Sequence, residues 1–206
     1  MKLVLATRNK GKVAEIKKIL EDLPEVELLS LRDFPDLAPI EETGKTFQEN
    51  AILKAKTVAN STGCWALADD SGLVVEALNG APGVYSARYA GKNATDTSNN
   101  QKLLKALEKV PWEKRRAAFV CVMALCSPKG KCYTCEGRFE GIISFEPKGN
   151  AGFGYDPVFY VPEYDKTVAE LTPEIKNMIS HRAQALKKIK PLLIQIIRSS
   201  ESNPLE

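Results

Sequence analysis

Apolar and polar positions in this chain are arranged in blocks whose spacing switches repeatedly between strand and helix periods. Residues 2–6 (KLVLA) form a short apolar run suited to a buried strand, and the polar stretch TRNKGK after it predicts a loop. Val13, Ile16, Ile19 and Leu20 then recur at helical spacing and stop before Pro24. Residues 26–31 read as a second strand, so the chain opens β-loop-α-β, the start of an α/β domain. A loop rich in proline and acids follows over residues 32–45. Thr46 with Glu49 three residues on predicts a capping box, and Phe47, Ala51, Ala55, Val58 and Ala59 give one apolar helix face. Residues 65–68 predict a strand ending in Asp69-Asp70-Ser71-Gly72, with a further strand at 73–78 and a turn at 79–83 (NGAPG). Leu103, Leu104 and Leu107 mark another helix, closed by Pro111.

From Ala117 the pattern becomes β-rich. Residues 117–126 read as a strand, 127–130 (SPKG) as a turn, and 131–140 as the returning arm of a hairpin, with 141–145 continuing the sheet. A Gly-rich segment spans 149–154, and 158–161 (VFYV) is a further strand. Thr172 caps a long final helix with Pro173 at its first position, and Pro191 is expected to kink it. No linker, repeat or low-complexity tract interrupts residues 1–206, which predicts one domain with two lobes.

Composition narrows the classes of function. The 29 Lys plus Arg nearly cancel 26 Asp plus Glu, leaving a formal charge of +3, too little excess for a polyanion-coating nucleic-acid binder. The charge is nevertheless sorted. Residues 7–12 carry three cations and no acid, residues 33–50 five acids and one Lys, and residues 176–198 six cations and no acid. Such sorting suits one small, highly charged ligand. No apolar run, the mostly apolar 192–197 included, is long enough for a bilayer, and the opening residues show no secretory signal, so a cytoplasmic protein is expected. Five cysteines are then expected as reduced thiols. Cys132 and Cys135 do not suggest zinc, because strand residues three apart face opposite sides.

Four segments carry candidate chemistry. The loop Thr7-Arg8-Asn9-Lys10-Gly11-Lys12 sits between strand and helix, where backbone N–H groups and the helix dipole favour an anion. It is not a Walker A loop, since Ala6 and Val13 stand where that motif needs Gly and Ser or Thr. The bland alternative is a solvated lysine-rich surface. Asp69-Asp70, with Glu41-Glu42 upstream, offers carboxylates from separate segments, as Mg²⁺ requires, although Asp-Ser-Gly also favours a plain turn. Consecutive strand residues point to opposite faces, so only one of the two aspartates faces a given site. Gly152-Phe153-Gly154-Tyr155-Asp156 offers aromatic faces for a base, or simply aromatics packed under a turn. Lys176 and Ser180-His181-Arg182 place the only His beside an Arg, a donor pair for carbonyl or phosphate oxygens, or an inert helical surface. No Gly-x-Ser-x-Gly elbow supports a serine hydrolase.

Taken in order, LATRNKGK (5–12), EETG (41–44), FQENAILK (47–54), ADDSG (68–72), GAPGVYSARY (80–89), GFGYDP (152–157) and SHR (180–182) resemble the noncanonical purine nucleoside triphosphate pyrophosphatases, also called inosine/xanthosine triphosphate pyrophosphatases. The resemblance covers nearly the whole chain. It departs at Arg8, where the family often has Gly; the larger side chain adds a cation and could alter the geometry of the loop. The resemblance implies an elongated α/β fold, a mixed sheet flanked by helices, with two lobes and a deep cleft, usually as a homodimer. It implies Mg²⁺-dependent hydrolysis of inosine, deoxyinosine and xanthosine triphosphates to monophosphate plus pyrophosphate. Carried over by position, Thr7, Arg8, Asn9, Lys10, Gly11 and Lys12 would hold the triphosphate, and Ser71 would touch substrate. Asp70 would be the catalytic and metal-associated carboxylate, joined at the metal by Glu41 or Glu42. Phe153, Gly154, Tyr155, Asp156 and Lys176 would frame base and sugar, and His181 with Arg182 would read the base.

The chemistry is phosphoryl displacement, which rests on positioning and charge neutralisation, with Lys12 and Lys54 offsetting phosphate charge. A free Asp, with a pKa of about 3.9, is a feeble base near neutrality, so Asp70 is expected mainly to orient metal and water. Two rivals stay open: a pyrophosphatase of modified or methylated pyrimidine nucleotides on the same scaffold, and a nucleotide sensor without turnover.

Overall fold

A computed structural model describes residues 1–202. Its strands are β1 (Lys2–Leu5), β2 (Glu27–Ser30), β3 (Trp65–Val75), β4 (Arg116–Cys126), β5 (Cys132–Ile143), β6 (Phe159–Val161) and β7 (Lys166–Thr167). Its α-helices are α1 (Lys10–Ile19), α2 (Phe47–Thr62), α3 (Asp96–Ala106), α4 (Pro173–Ile179) and α5 (His181–Ser202). The strands form one sheet in the order β2-β1-β3-β4-β5-β6-β7. It is mixed: β1 pairs in parallel with β2 and β3, while β5–β6 and β6–β7 are antiparallel. The α/β class and mixed sheet expected from the sequence are therefore present.

The chain divides into two units. The first contains residues 1–70, 121–137 and the chain from Arg182 onward; the second contains 71–120 and 138–181. The core of the first unit joins Leu3 and Leu5 of β1, Ile16 and Leu20 of α1 or its end, Met123 and Leu125 of β4, and Leu186, Ile189 and Leu193 of α5. The helical spacing of the α1 and α5 positions is what brings them to one face. The core of the second unit gathers Leu73 and Val75 of β3, Leu103 and Leu107 at α3, Phe119, Ile143 and Phe159. Arg115 is fully buried in this unit, and its guanidinium donates to the carbonyls of Leu107, Val110, Ile143 and Ser144. Four oriented acceptors compensate the desolvated cation.

Several sequence expectations need correction. The segment 65–78 does not break at Asp69-Asp70-Ser71-Gly72; β3 runs through it as one strand of 11 residues. Burial of both aspartates beside cations outweighs the turn preference of Asp-Ser-Gly. The proposed capping box on α2 is only half formed. Thr46 accepts the Glu49 N–H at 3.1 Å, but the Glu49 carboxylate accepts from Lys45 N–H at 2.6 Å, one residue further back. The single long C-terminal helix is two helices, because Ser180 takes an extended ψ of 151° between α4 and α5. Pro191 lies inside α5, as the sequence reading placed it within the final helix. Finally, Cys126 and Cys132 are joined by a disulfide, not held as thiols. The turn 127–130 brings them together across the hairpin, and a strand-period reading of single cysteines does not reveal such a pair. Cys64, Cys121 and Cys135 are thiols. Among the described residues no helix is long and apolar enough to cross a membrane.

Candidate active site

Strand β3 sets the geometry of the first unit's polar cluster. Its side chains alternate, so Asp69 and Asp70 point to opposite faces and collect different partners. Asp69 accepts from Lys12 Nζ at 2.8 Å and lies 3.5 Å from Arg182 Nη2. Arg182 Nη1 is 3.2 Å from Glu15 Oε2. Asp70 accepts from Asn50 Nδ2 at 3.0 Å and lies 3.7 Å from Lys54 Nζ, which also donates to Glu42 Oε1 at 2.6 Å. One strand thus presents two separate carboxylate–cation clusters through consecutive residues.

The electrostatics follow from burial. Desolvation alone would raise the Asp69 pKa, but Lys12 and Arg182 outweigh it and hold the carboxyl well below the usual carboxylate range. Burial would lower the Lys54 pKa; the Glu42 hydrogen bond and the Asp70 charge reverse this and hold it raised. Arg182, only 6% exposed, is likewise kept charged by Asp69 and Glu15 against the cost of burial. Cys121 is pushed up, first by burial and then by the Asp69 charge, and remains a neutral core thiol.

The elements that deliver these groups are local in origin. Asn50 and Lys54 lie one turn apart on α2, so both reach Asp70 from one helix face. Asn50 also accepts the Gly44 N–H at 2.7 Å, tying the acidic loop to the same cluster. A Cβ on Gly44 would stand 2.6 Å from Asn50 Oδ1 and 2.8 Å from Glu49 Cβ, so only glycine permits this approach. Gly44→Ala is therefore expected to cost roughly 1–3 kcal/mol of stability by overpacking. Turnover should fall with it, as Asn50 is displaced from Asp70. Urea unfolding together with pyrophosphate release checks both effects.

The first loop differs in detail from a bare anion cradle. Asn9 caps α1, accepting the N–H groups of Gly11 at 2.9 Å and Lys12 at 3.2 Å. Those two donors, expected for phosphate, are engaged by the cap. Thr7 Oγ1 accepts the Asn9 N–H at 3.1 Å. Lys10 is exposed. Arg8 reaches to the carbonyl of Leu37 at 2.7 Å, while Arg32 Nη2 donates to the Arg8 carbonyl at 3.2 Å. Of the two acids upstream, Glu42 reaches Lys54, whereas Glu41 is exposed.

In the second unit, the Gly-rich segment forms an ordered aromatic loop. Asp156, buried, accepts from the Phe153 N–H at 2.9 Å and pairs with Lys176. The Lys176 ammonium sits 4.5 Å above the Phe153 ring, whose own exposure is 66%. Gly152 has φ +83° and a Cβ there would meet Asp156 Oδ2 at 2.1 Å, so the turn closes over its own carboxylate. Tyr155 donates from its hydroxyl to the Ser86 carbonyl at 2.8 Å, and burial pushes the phenol up, keeping it neutral. The His181 ring stacks on Phe119 at 5.2 Å. Ser71 follows Asp70 in β3 and is half-buried.

The sequence reading named Asp69 beside Asp70 without a role of its own, and missed Asn50 and Glu15 as members of these clusters. The signals were present: strict alternation along the strand, and the four-residue spacing of Asn50 and Lys54. Among the described residues no three His, Cys, Asp or Glu side chains converge as a metal cage. Asp70 and Glu42 around one ammonium are nonetheless hard oxygen donors of the kind Mg²⁺ takes, since that ion is commonly held by one or two carboxylates with water and phosphate oxygens.

Residues 3–192 match the Ham1 family. This chain belongs to the Ham1 family. It is 60% identical over 189 residues to the dITP/XTP pyrophosphatase of Geobacter sulfurreducens, covering 92% of this chain and 94% of that protein. It is 56% identical to the dITP/XTP pyrophosphatase of Desulforamulus reducens, covering 94% and 96%. The solved structure of a HAM1 protein from Coxiella burnetii superposes with a TM-score of 0.90 at 50% identity, over 95% of this chain and 99% of that one. The Ham1 fold in this chain therefore agrees in both sequence and coordinates.

Proposed function

We propose that this Ham1 chain is a nucleoside triphosphate pyrophosphatase that cleaves the α–β anhydride of ITP, dITP and XTP, releasing the nucleoside monophosphate and pyrophosphate. The observation that carries the reading is the division of Asp69 and Asp70 into two carboxylate–cation clusters on consecutive residues of β3. Cations for phosphate oxygens and carboxylates for a hard metal are needed together by a magnesium triphosphate and by few other ligands.

Asp70 and Glu42 would hold Mg²⁺, whose chemistry is charge neutralisation on the phosphates and on the departing pyrophosphate. Asp70, steadied by Asn50, orients the attacking water. Lys12 and Lys54 offset phosphate charge, and Lys54 exchanges its carboxylate partners for phosphate oxygens as substrate arrives. Thr7 to Lys10 line the phosphate side with Thr7 hydroxyl and Lys10 ammonium groups, whereas Arg8 orders the loop through Leu37. On the base side, Phe153 offers its exposed ring, with Lys176 over one face and Asp156 holding its backbone N–H. His181 and Arg182 read the 6-oxo group. In support, Arg182 Nε is buried with no hydrogen-bond partner among the described residues, while its terminal nitrogens serve Glu15 and Asp69. A 6-oxo acceptor satisfies such a donor; the 6-amino group of adenine opposes it with a second donor. The reading is completed by a homodimer acting in the cytoplasm, without nucleic acid or membrane as partner.

A substrate panel with pyrophosphate detection tests this directly. ITP, dITP and XTP are expected to show kcat/KM at least ~10²-fold above ATP in the presence of Mg²⁺. Faster turnover of a methylated pyrimidine triphosphate, or binding without turnover, would overturn the assignment.

A further inference from the structure

Helix α3 carries an unusual pair. Asn99 and Asn100 are consecutive, both in a helix interior and both buried, at 3% and 8% exposure. Asparagine is a poor helix former, and its amide is costly to bury without partners. Tertiary hydrogen bonds must explain the pair, and those bonds all reach backbone groups outside α3. Asn99 Oδ1 accepts the Ala90 N–H at 2.8 Å and its Nδ2 donates to the Ala87 carbonyl at 3.2 Å. Lys102 Nζ donates to the Tyr89 carbonyl at 2.6 Å. These fix the helix to the segment 87–90.

The neighbouring residues grip a different loop. Asp96 Oδ2 accepts the Gly154 N–H at 2.7 Å, and Asn100 Nδ2 donates to the Gly154 carbonyl at 2.9 Å. Asp96 and Asn100 stand four apart, one above the other on α3, and so take both polar ends of a single glycine. Gly154 is left-handed, with φ +61°, and nothing lies within 4 Å of where its Cβ would be. The two bonds from α3 therefore hold a residue that has no side chain of its own to pack. Asn100 Oδ1 is buried with no hydrogen-bond partner, so the polar engagement of this amide is with Gly154. An orphaned acceptor is tolerated for the sake of the other bond.

We propose that α3 is a bracket for the aromatic loop 152–156, and that Asp96 and Asn100 are positioning residues for base recognition. Phe153 precedes the gripped glycine and its ring is exposed; its backbone is held on one side by Asp156, which accepts its N–H at 2.9 Å, and on the other, through Gly154, by α3. Tyr155, on the other side, is anchored to Ser86, whose hydroxyl donates to the Gly83 carbonyl at 2.6 Å. The helix and this anchor together join 83–90 to 152–156 as one frame around the Phe153 ring. The inference rests on the assignment of 152–156 to the base, proposed above.

The test separates base positioning from general folding by using inorganic tripolyphosphate, which has phosphates and no base. Asn100→Ala and Asp96→Ala are expected to raise KM for ITP by ~10-fold with a smaller change in kcat, the effect of one or two lost hydrogen bonds. Inhibition by tripolyphosphate should stay within about 2-fold of the unmodified enzyme, because it reports only the phosphate side. Asp96→Asn keeps an acceptor for the Gly154 N–H and is expected to retain KM within about 2-fold. Phe153→Ala is the reference and should raise KM as the bracket variants do. If Phe153→Ala raises KM and the α3 variants do not, the bracket is wrong while the base assignment stands. If tripolyphosphate inhibition weakens in parallel with KM, the role is structural and the inference fails. If Phe153→Ala leaves KM unchanged, the base assignment falls and the bracket falls with it.

Discussion

Asp70→Asn is expected to leave the chain folded and to lower kcat by at least ~10²-fold, the scale of losing a key electrostatic or acid–base group. The change is nearly isosteric. The new side chain keeps a carbonyl oxygen for the Asn50 donor that now lies 3.0 Å from Asp70 Oδ2, so the local packing has little reason to move. What disappears is the negative charge shared with Glu42 around Lys54, and with it, on the proposed function, the orienting field for a divalent cation and the attacking water. Steady-state pyrophosphate release, beside a urea unfolding curve, distinguishes this from misfolding. Near-normal turnover in a folded variant would transfer the role to another carboxylate.

Asp69→Asn is expected to act first on stability. Asp69 is the acid that Lys12 and Arg182 share inside the first unit, and its side chain is 4% exposed. Removing one member of a buried ion network costs roughly 3–5 kcal/mol, because the remaining charges stay desolvated. The pH dependence gives the sign independently. With its folded pKa held below the unfolded value, Asp69 contributes stability that is present above about pH 4 and is lost as pH falls toward the folded value. The unmodified protein should therefore lose stability on acidification below that point, and Asp69→Asn should show a flatter acid limb. Chemical denaturation at pH 7 and at stepped acidic pH reads both. An unchanged midpoint at pH 7 would mean that Glu15 alone satisfies Arg182.

The helices and apolar strands were legible because burial follows period. Ala51, Ala55, Val58 and Ala59 of α2 form a buried face at the spacing the sequence shows. The failures share a different cause. Asp-Ser-Gly is a local turn signal, yet the segment is a strand because Lys12, Arg182, Asn50 and Lys54 arrive from residues 12 to 182 and reward an extended backbone. Ser180 breaks the last helix through an extended ψ of 151°, and no Gly or Pro beside it signals the break in the sequence. The Cys126–Cys132 disulfide depends on hairpin register, which cysteine counting ignores. In the site, residue types pointed to the right chemistry while partners remained hidden. Arg8 is a cation in a cationic loop, but its guanidinium serves the Leu37 carbonyl. Asp69 was visible beside Asp70 but had no assigned task until its two cations were located.

Strand β3 also sets a limit on how this chain can vary in length. A single residue inserted just before Asp69 would advance the strand by half its side-chain period. Asp69 would then face Asn50 and Lys54, and the inserted residue would come opposite Lys12 and Arg182. Both clusters would still contain their cations, but Lys12 would lose its carboxylate partner and Arg182 would be left with Glu15 alone. Loops elsewhere absorb insertions with small entropic cost. Between Leu67 and Gly72 the spacing itself is the functional quantity, and a change of one residue there should be as damaging as removal of a carboxylate.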